Sequence, residues 1–227
     1  MTRVEDGTDS SVAVDTPPSD DRLRRALLVV LAVAVLAIGV TAGWIVGNRD
    51  TASTVADSSV DAGFARDMSA HHAQAVQMAG YARDHTSDQS IKLLAYDIET
   101  AQYFELGEMQ GWLDDWGLSR NTARPVMSWM AGHDHVEANG LMPGMATPAE
   151  IDKLETMTGK PLDVYFLQLM LRHHQGGVPM AKYASEQATE PYVRNLATKM
   201  YTNQSKEIIQ MERVLRERGG SPLPAPG

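Results

Sequence analysis

The fold is decided by a stretch that occurs twice in the chain, FARDMSAHHAQAVQMAGYA at residues 64–82 and FLQLMLRHHQGGVPMAKYA at residues 166–184. The two copies align without a gap at an offset of 102 residues, and each carries a histidine doublet with methionines before and after it. The match continues downstream, where Gln102, Glu105 and Met109 correspond to Gln204, Glu207 and Met211. Such self-similarity indicates a duplicated supersecondary unit.

Each copy predicts two helices joined by a short polar break. We expect Asp61 and Asp163 to cap the first helices, and Gly117 and Gly219 to end the second helices. The apolar residues recur near the helical period, so each hairpin has one inward stripe. Two such hairpins bury their stripes best as a four-helix bundle. The chain is therefore predicted to be all-α, with a ferritin-like bundle over residues 61–219.

A connector over residues 118–160 joins the two hairpins and is long for a bundle loop, which favours a functional role. Within it, the sequence TPAE at residues 147–150 is a capping box with proline at the first helical position. We expect one short helix to begin there and to end at Gly159.

An uncharged segment, residues 26–47, precedes the bundle and is long enough to span a bilayer. Arginines stand just before it, so the positive-inside rule predicts a single-pass plasma-membrane anchor with a cytoplasmic N-terminus and an extracytoplasmic bundle. A cleaved signal peptide is the alternative. Residues 1–25 are predicted to be a disordered cytoplasmic tail, residues 48–60 a linker, and residues 220–227 a disordered tail.

The composition narrows the set of partners. The net charge of −9 argues against nucleic-acid binding, which needs a basic face. The absence of cysteine excludes thiolate metal sites and disulfides. Gly39, Gly43 and Gly47 recur every fourth residue, so two anchors could pack as a homodimer, although glycines are common in such helices.

The histidines and methionines of each copy share one helix face. At 100° per residue, Met68, His71, His72 and Met78 fall within about 120° of one another. Methionines at helical spacing are also typical core residues, but two matching doublets with methionines at the same offsets favour metal ligation. The methionines crowded into the connector around residues 127–145 could be ligands or could cap the end of the bundle.

The donor types select the metal. Thioether and imidazole suit Cu(I), and by the same softness Ag(I), whereas zinc, calcium and magnesium prefer other donors. Because imidazole binds metal only when neutral, binding by histidine is expected to weaken below about pH 6.5. No glutamate is followed by a histidine three residues later, which argues against a ferritin-type di-iron site and its redox chemistry.

The two repeats, with LMPGMATPAEIDKLETMTGKPLDVYF at residues 141–166 between them, closely resemble the family called domain of unknown function 305. The resemblance covers about residues 60–219 and implies a ferritin-like, exported domain that in some members is linked to copper binding and copper resistance. Gly177 and Pro179 depart from the helix formers expected there, and we expect a kink in that helix. The matching candidate metal ligands are His71, His72, Met78, His173, His174 and Met180, followed by Met68, Met170, Met109, Met211, Met142 and Met145.

The sequence therefore predicts a membrane-anchored, extracytoplasmic protein that binds copper, most readily Cu(I), for buffering, tolerance or delivery. No catalytic residue is predicted, and the delivery partner is not identified by the sequence. A metal-free helical adaptor that docks on another envelope protein is the main alternative. A metal-dependent oxidoreductase is a third and weaker one.

Overall fold

The computed structural model describes residues 21–47, 55–132, 136–137 and 139–224. Over these residues the secondary structure is entirely helical, and the chain divides into one unit up to Thr51 and a second from Ala52 onward. The helices are α1 (Asp21–Gly47), α2 (Val60–His85), α3 (Gln89–Asp115), α4 (Pro148–Leu154), α5 (Gly159–Gln187) and α6 (Pro191–Glu217). The predicted all-α class with one apolar N-terminal helix is confirmed.

Helix α1 is long and apolar enough to cross a membrane between Arg22 and Gly43. It begins at Asp21 rather than at residue 26, so residues 21–25, predicted as part of the tail, are helical. The arginine-bearing turn continues the helix because arginine is a good helix former. Residues 1–20, residues 48–54 of the predicted linker and residues 225–227 lie outside the described part.

The second unit contains two helical hairpins, α2–α3 and α5–α6, which meet along α2 and α5. These two helices run antiparallel, and a buried aspartate on each binds the loop of the opposite hairpin. The carboxylate of Asp61 accepts hydrogen bonds from the backbone N–H groups of Thr189 and Glu190. In the same way, the carboxylate of Asp163 accepts a hydrogen bond from the hydroxyl of Thr86. These bonds fix the register between the hairpins.

The prediction that Asp61 and Asp163 are N-caps is therefore wrong. The N-cap of α2 is Ser59, whose Oγ accepts the N–H of Ala62, and α5 begins after Thr158. The physical reason is burial, because a carboxylate removed from water must find hydrogen-bond donors, and the neighbouring loops supply them.

The predicted C-terminal ends of α3 and α6 are confirmed. Gly117 has φ +66° and Gly219 has φ +75°, a left-handed conformation that glycine adopts without steric cost. In each case the next residue's N–H reaches back to a carbonyl of the last turn, from Leu118 to Leu113 and from Gly220 to Leu215. Both hairpins thus finish with the same C-capping arrangement.

The connector forms helix α4 as predicted, with both hydrogen bonds of the capping box between Thr147 and Glu150. The prediction that Gly159 ends this helix is wrong, because α4 ends at Leu154 and Gly159 begins α5. The Tyr81 hydroxyl of α2 donates to the carbonyl of Glu155 and so holds the turn after α4 against the bundle.

Helix α5 continues without a break through Pro179, and its two glycines have a packing role. A Cβ on Gly176 would lie 1.9 Å from the carbonyl oxygen of Pro143. A Cβ on Gly144, whose φ is +79°, would lie 2.4 Å from the carbonyl oxygen of Arg172. The 143–144 turn of the connector therefore lies directly on the α5 backbone.

The core consists of two apolar clusters, named here after their repeat-related phenylalanines. The Phe64 cluster includes Met68, Met109, Met180 and the connector residues Met127, Trp129, Met130 and Met142. The Phe166 cluster includes Met78, Met170, Met211, Ile91, Ile98 and Leu154. Along both α2 and α5, the histidine doublet lies between a methionine of one cluster and a methionine of the other.

We predict that Gly176→Ala destabilises the bundle by about 1–3 kcal/mol, because the new methyl group would overlap the Pro143 carbonyl. Gly80→Ala is the matched control, since its Cβ would meet only the Glu99 carboxylate at 3.4 Å. The control should be neutral or stabilising by up to about 1 kcal/mol. Denaturant midpoints from tryptophan fluorescence measure both, and equal midpoints for the two variants would contradict the packing described.

Candidate metal centre

The four histidines of the two doublets form a buried polar layer between the apolar clusters. His71, His72 and His174 have no exposed surface, and His173 has 1%. The layer exists because each doublet lies on the inward stripe of its helix, and α2 and α5 pack against each other at this level.

His71 and His173 form the centre of the contact between α2 and α5. Their ring centroids are 3.7 Å apart with an interplanar angle of 36°. The His173 Nε2 atom lies 3.0 Å from the carbonyl oxygen of His71, and the His71 Nε2 atom lies 3.2 Å from that of Pro143. Each ring is thus oriented by a backbone carbonyl, to which its Nε2–H donates.

His72 and His174 are oriented by carboxylates on the partner helices. The Nε2 atom of His72 lies 2.8 Å from Oε2 of Glu105, and that of His174 lies 2.8 Å from Oε2 of Glu207. The two pairs occupy equivalent positions in the two copies. The carboxylate side chains are 15% and 26% exposed, so they connect this closed layer with solvent.

In three of the four rings, these contacts leave one nitrogen without a hydrogen-bond partner. With Nε2–H as donor, Nδ1 carries a free lone pair, and in His71, His72 and His174 this atom is buried without a hydrogen-bond partner. Buried polar atoms are normally satisfied, so this group needs an explanation. A histidine that binds a metal through one nitrogen characteristically donates the other N–H to a carboxylate or carbonyl. The geometry fits that arrangement.

Burial also keeps the imidazoles neutral. Desolvation, with the neighbouring His72, lowers the pKa of His71 to about 3, and desolvation together with His174 lowers that of His72 to about 3. Desolvation and His71 hold the pKa of His173 well below its ordinary value. Conversely, desolvation and the nearby Glu207 raise the pKa of Glu105 to about 7. Neutral imidazoles have the lone pair that a metal ion requires, so burial moves the expected loss of histidine binding from about pH 6.5 to a lower pH.

The predicted methionine ligands are divided between the two clusters. Met68, Met109 and Met180 lie in the Phe64 cluster with Met142, and the partly buried Met145 packs against it. Met78, Met170 and Met211 lie in the Phe166 cluster. Helical spacing brings the thioether before each doublet to within one turn of the imidazoles, because residues three and four apart are neighbours on a helix.

No group of three or more His, Asp or Glu side chains in the described residues stands ready to hold an ion. A metal ion in this layer therefore needs a thioether as a further ligand or a rotation of a ring. His133 and His135 of the connector lie outside the described part, whereas Met127 and Met130 are buried in the Phe64 cluster.

Three buried residues, Gly177, Gln204 and Gln102, were not among the predicted site residues. A Cβ on Gly177 would lie 3.1 Å from Cε1 of His71 and 2.9 Å from Oε1 of Gln204, so this glycine leaves room for the imidazole. Gln204 Oε1 and both amide atoms of Gln102 are buried without partners. The two glutamines occupy corresponding positions in the two copies, and this recurrence in the sequence could have identified them as site neighbours.

The fold and this layer define a class, namely duplicated helical hairpins that enclose paired histidines. The chain belongs to the family described as domain of unknown function (DUF305), whose model matches residues 61–215. No curated protein sequence matches the chain significantly.

Solved structures of the family share this fold. A DUF305 protein from Streptomyces coelicolor, provisionally assigned as secreted, is 47% identical with a TM-score of 0.69, covering 74% of this chain and 99% of that one. A DUF305 fragment from Deinococcus radiodurans is 30% identical with a TM-score of 0.58, covering 70% and 96%. CopM in its Cu(I)-bound form is 28% identical with a TM-score of 0.53, covering 70% and 98%. CopM has also been solved in Cu(II)-bound and Ag-bound forms.

We predict that the metal-free bundle loses stability as the pH falls below about 6.5. His71, His72 and His173 have lowered pKa values in the fold, so unfolding takes up their protons and acid favours the unfolded state. The raised pKa of Glu105 acts in the opposite direction between about pH 4.5 and 7. Three histidines destabilise the fold in acid and one glutamate stabilises it. The free energy of unfolding therefore falls by roughly 2 kcal/mol from pH 6 to pH 5. Denaturant titrations at each pH measure it, and constant stability over this range would contradict the assignment of neutral, buried imidazoles.

Proposed function

We propose that this protein is a membrane-anchored, extracytoplasmic copper-binding protein that holds Cu(I) through the histidine doublets and adjacent methionines. One observation carries the proposal: three buried imidazole Nδ1 atoms have no hydrogen-bond partner, while their Nε2 atoms bond to oxygen acceptors. This is the pattern of histidines prepared to bind a metal through the free nitrogen.

The donor set supports copper over other ions. The chain has thirteen methionines and no cysteine, and seven methionines of the described helices are buried. Imidazole with thioether suits Cu(I). The absence of a preformed His/Asp/Glu triad in the described residues disfavours zinc, which takes nitrogen, oxygen and thiolate donors. The copper-bound forms of CopM, a protein of similar sequence and fold, support the same ion.

The role that fits this site is buffering, tolerance or delivery. Neutral thioether and imidazole ligands hold Cu(I) without changing their own protonation, which suits reversible binding. The partly exposed Glu105 and Glu207 lie beside the closed imidazoles and offer a path by which an ion enters or leaves. Delivery in addition requires an acceptor protein.

Helix α1 serves in this proposal as an uncleaved anchor that keeps the bundle outside the plasma membrane. We predict that the mature protein retains residues 21–47 and fractionates with membranes, because the apolar span exceeds a signal-peptide core in length. Intact-mass measurement of the membrane-extracted protein tests this. A mature chain that begins after Gly47 would overturn the anchor and leave a secreted bundle.

We predict that the full chain in detergent binds Cu(I) in competition with a chromogenic chelator, and that the double variant His71→Ala/His173→Ala weakens binding at least tenfold. Each substitution removes a buried imidazole of the central pair. His85→Ala is the matched control, because His85 is exposed on the same hairpin and stacks on Tyr81.

The outcomes of this titration separate the alternatives. Circular dichroism must first show that the double variant keeps its helical content. Unchanged affinity in that variant would move the site to the connector methionines, and no binding by the native chain would favour the metal-free adaptor.

A further inference from the structure

Helix α3 presents an apolar face to solvent, directly opposite the face that it buries. Leu93 and Tyr96 are each 53% exposed, Tyr103 is 68% exposed and Phe104 is 74% exposed. At 100° per residue, these side chains fall within about 100° of one another. We call this surface the α3 stripe, and it comprises Leu93, Tyr96, Thr100, Tyr103, Phe104, Gly107 and Gly111.

The repeat provides an internal comparison. The positions of α6 that correspond to the α3 stripe are Asn195, Thr198, Thr202, Ser205, Lys206, Ile209 and Arg213. Apart from Ile209 they are polar or charged, although α6 has the same place in its hairpin as α3. The fold therefore does not require an apolar surface at this position, and the α3 stripe needs an occupant.

The stripe is complementary to itself. Its first half carries bulky side chains, whereas a Cβ at Gly107 or Gly111 would meet nothing within 4 Å. If two α3 helices pack antiparallel about a twofold axis between Tyr103 and Phe104, Gly111 of each copy faces Tyr96 of the other. In the same register Gly107 faces Thr100. The bulky Tyr96 thus meets a glycine on both sides of the axis, which gives the self-complementarity of an isologous contact.

Charge supports this register and disfavours a bilayer as the occupant. The antiparallel pairing brings Lys92 to the level of Asp115 of the second copy, next to Asp114, which pairs with Arg120 of its own chain. The stripe is otherwise flanked by acids, including Asp97 and Glu108. Helices that lie on membranes carry lysine and arginine on their polar face, so this acidic border would repel an anionic surface.

The available area suits a dimer that assembles on a membrane. An aromatic side chain carries roughly 150–250 Å², so the exposed fractions leave roughly 400 Å² of aromatic surface on each copy. Two copies with the flanking residues would bury about 1,000 Å², near the lower limit for a specific interface. Tethering both copies to one bilayer raises their effective concentration and compensates for a modest area.

We propose that the α3 stripe is a homodimer interface in which two copies of this chain pack α3 against α3 in antiparallel orientation. The interface is independent of the metal centre, because the stripe points away from the core. It also differs from any contact between the glycines of the α1 anchors.

Cysteine crosslinking of the full chain in native membranes tests the register, because the chain has no cysteine of its own. In Thr100→Cys/Gly107→Cys, each thiol faces the other position of the second copy. Within one helix the two Cα atoms are about 10 Å apart, too far for an internal disulfide. Thr202→Cys/Ile209→Cys, at the corresponding positions of α6, is the matched control. We expect at least fivefold more disulfide-linked dimer from the α3 pair after mild thiol oxidation.

A second pair of variants tests the apolar contact itself. Phe104→Glu in the α3 cysteine background should reduce the crosslinked dimer at least fivefold, because it places a carboxylate near the twofold axis. Lys206→Glu introduces the same side chain at the corresponding position of α6 and should leave the dimer unchanged. Both side chains are exposed, so we expect both variants to fold.

The proposal is overturned if the α3 cysteines crosslink no better than the α6 cysteines, or if Phe104→Glu leaves the yield unchanged. It is equally overturned if the α3 thiols are shielded from a water-soluble maleimide without forming a dimer, which would assign the stripe to the bilayer. Crosslinking mainly to another protein would assign it to a different partner.

Discussion

The structure depends on the close contact of α2 and α5 at their histidine doublets. The closely packed, tilted rings of His71 and His173 occupy the point at which the two hairpins meet, and Gly177 leaves space for the ring of His71. Four imidazoles at this point form a costly layer in a mostly apolar core, since each must be desolvated and hydrogen-bonded. The layer's need for hydrogen-bond acceptors accounts for the positions of the Pro143 carbonyl and of the Glu105 and Glu207 carboxylates. The small Gly176 in turn lets the connector bring the Pro143 carbonyl close enough.

The duplication is close but not symmetric, and the differences lie where function is proposed. His72 and His174 have equivalent carboxylate partners. His71, by contrast, donates to the connector while its counterpart His173 donates to the opposite helix. The single connector covers one side of the layer and so makes the two halves of the site inequivalent. A similar difference separates the apolar outer face of α3 from the polar outer face of α6.

Most of the architecture was predictable because it depends on local and periodic signals. The hairpins, the glycine-capped ends of α3 and α6, and the capping box at Thr147 are readable from residue type and spacing. The hydrogen bonds of Asp61 and Asp163 could not be predicted, because their partners lie in the opposite hairpin more than 70 residues away. Gly176 and Gly177 looked like helix weakeners, and only the approach of the connector and of His71 explains them. The sequence singled out the histidines of the candidate site but could not show which nitrogen each would leave free.

The central claim, that copper is held by the free Nδ1 atoms of the buried doublets with a thioether nearby, is tested most directly by X-ray absorption at the copper edge. The full chain is loaded with one equivalent of Cu(I). We predict a first shell of nitrogen and sulfur, with outer-shell scattering from imidazole rings that weakens in the His71→Ala/His173→Ala variant, which keeps His72 and His174. A shell of sulfur alone, or one of oxygen without imidazole scattering, would contradict it.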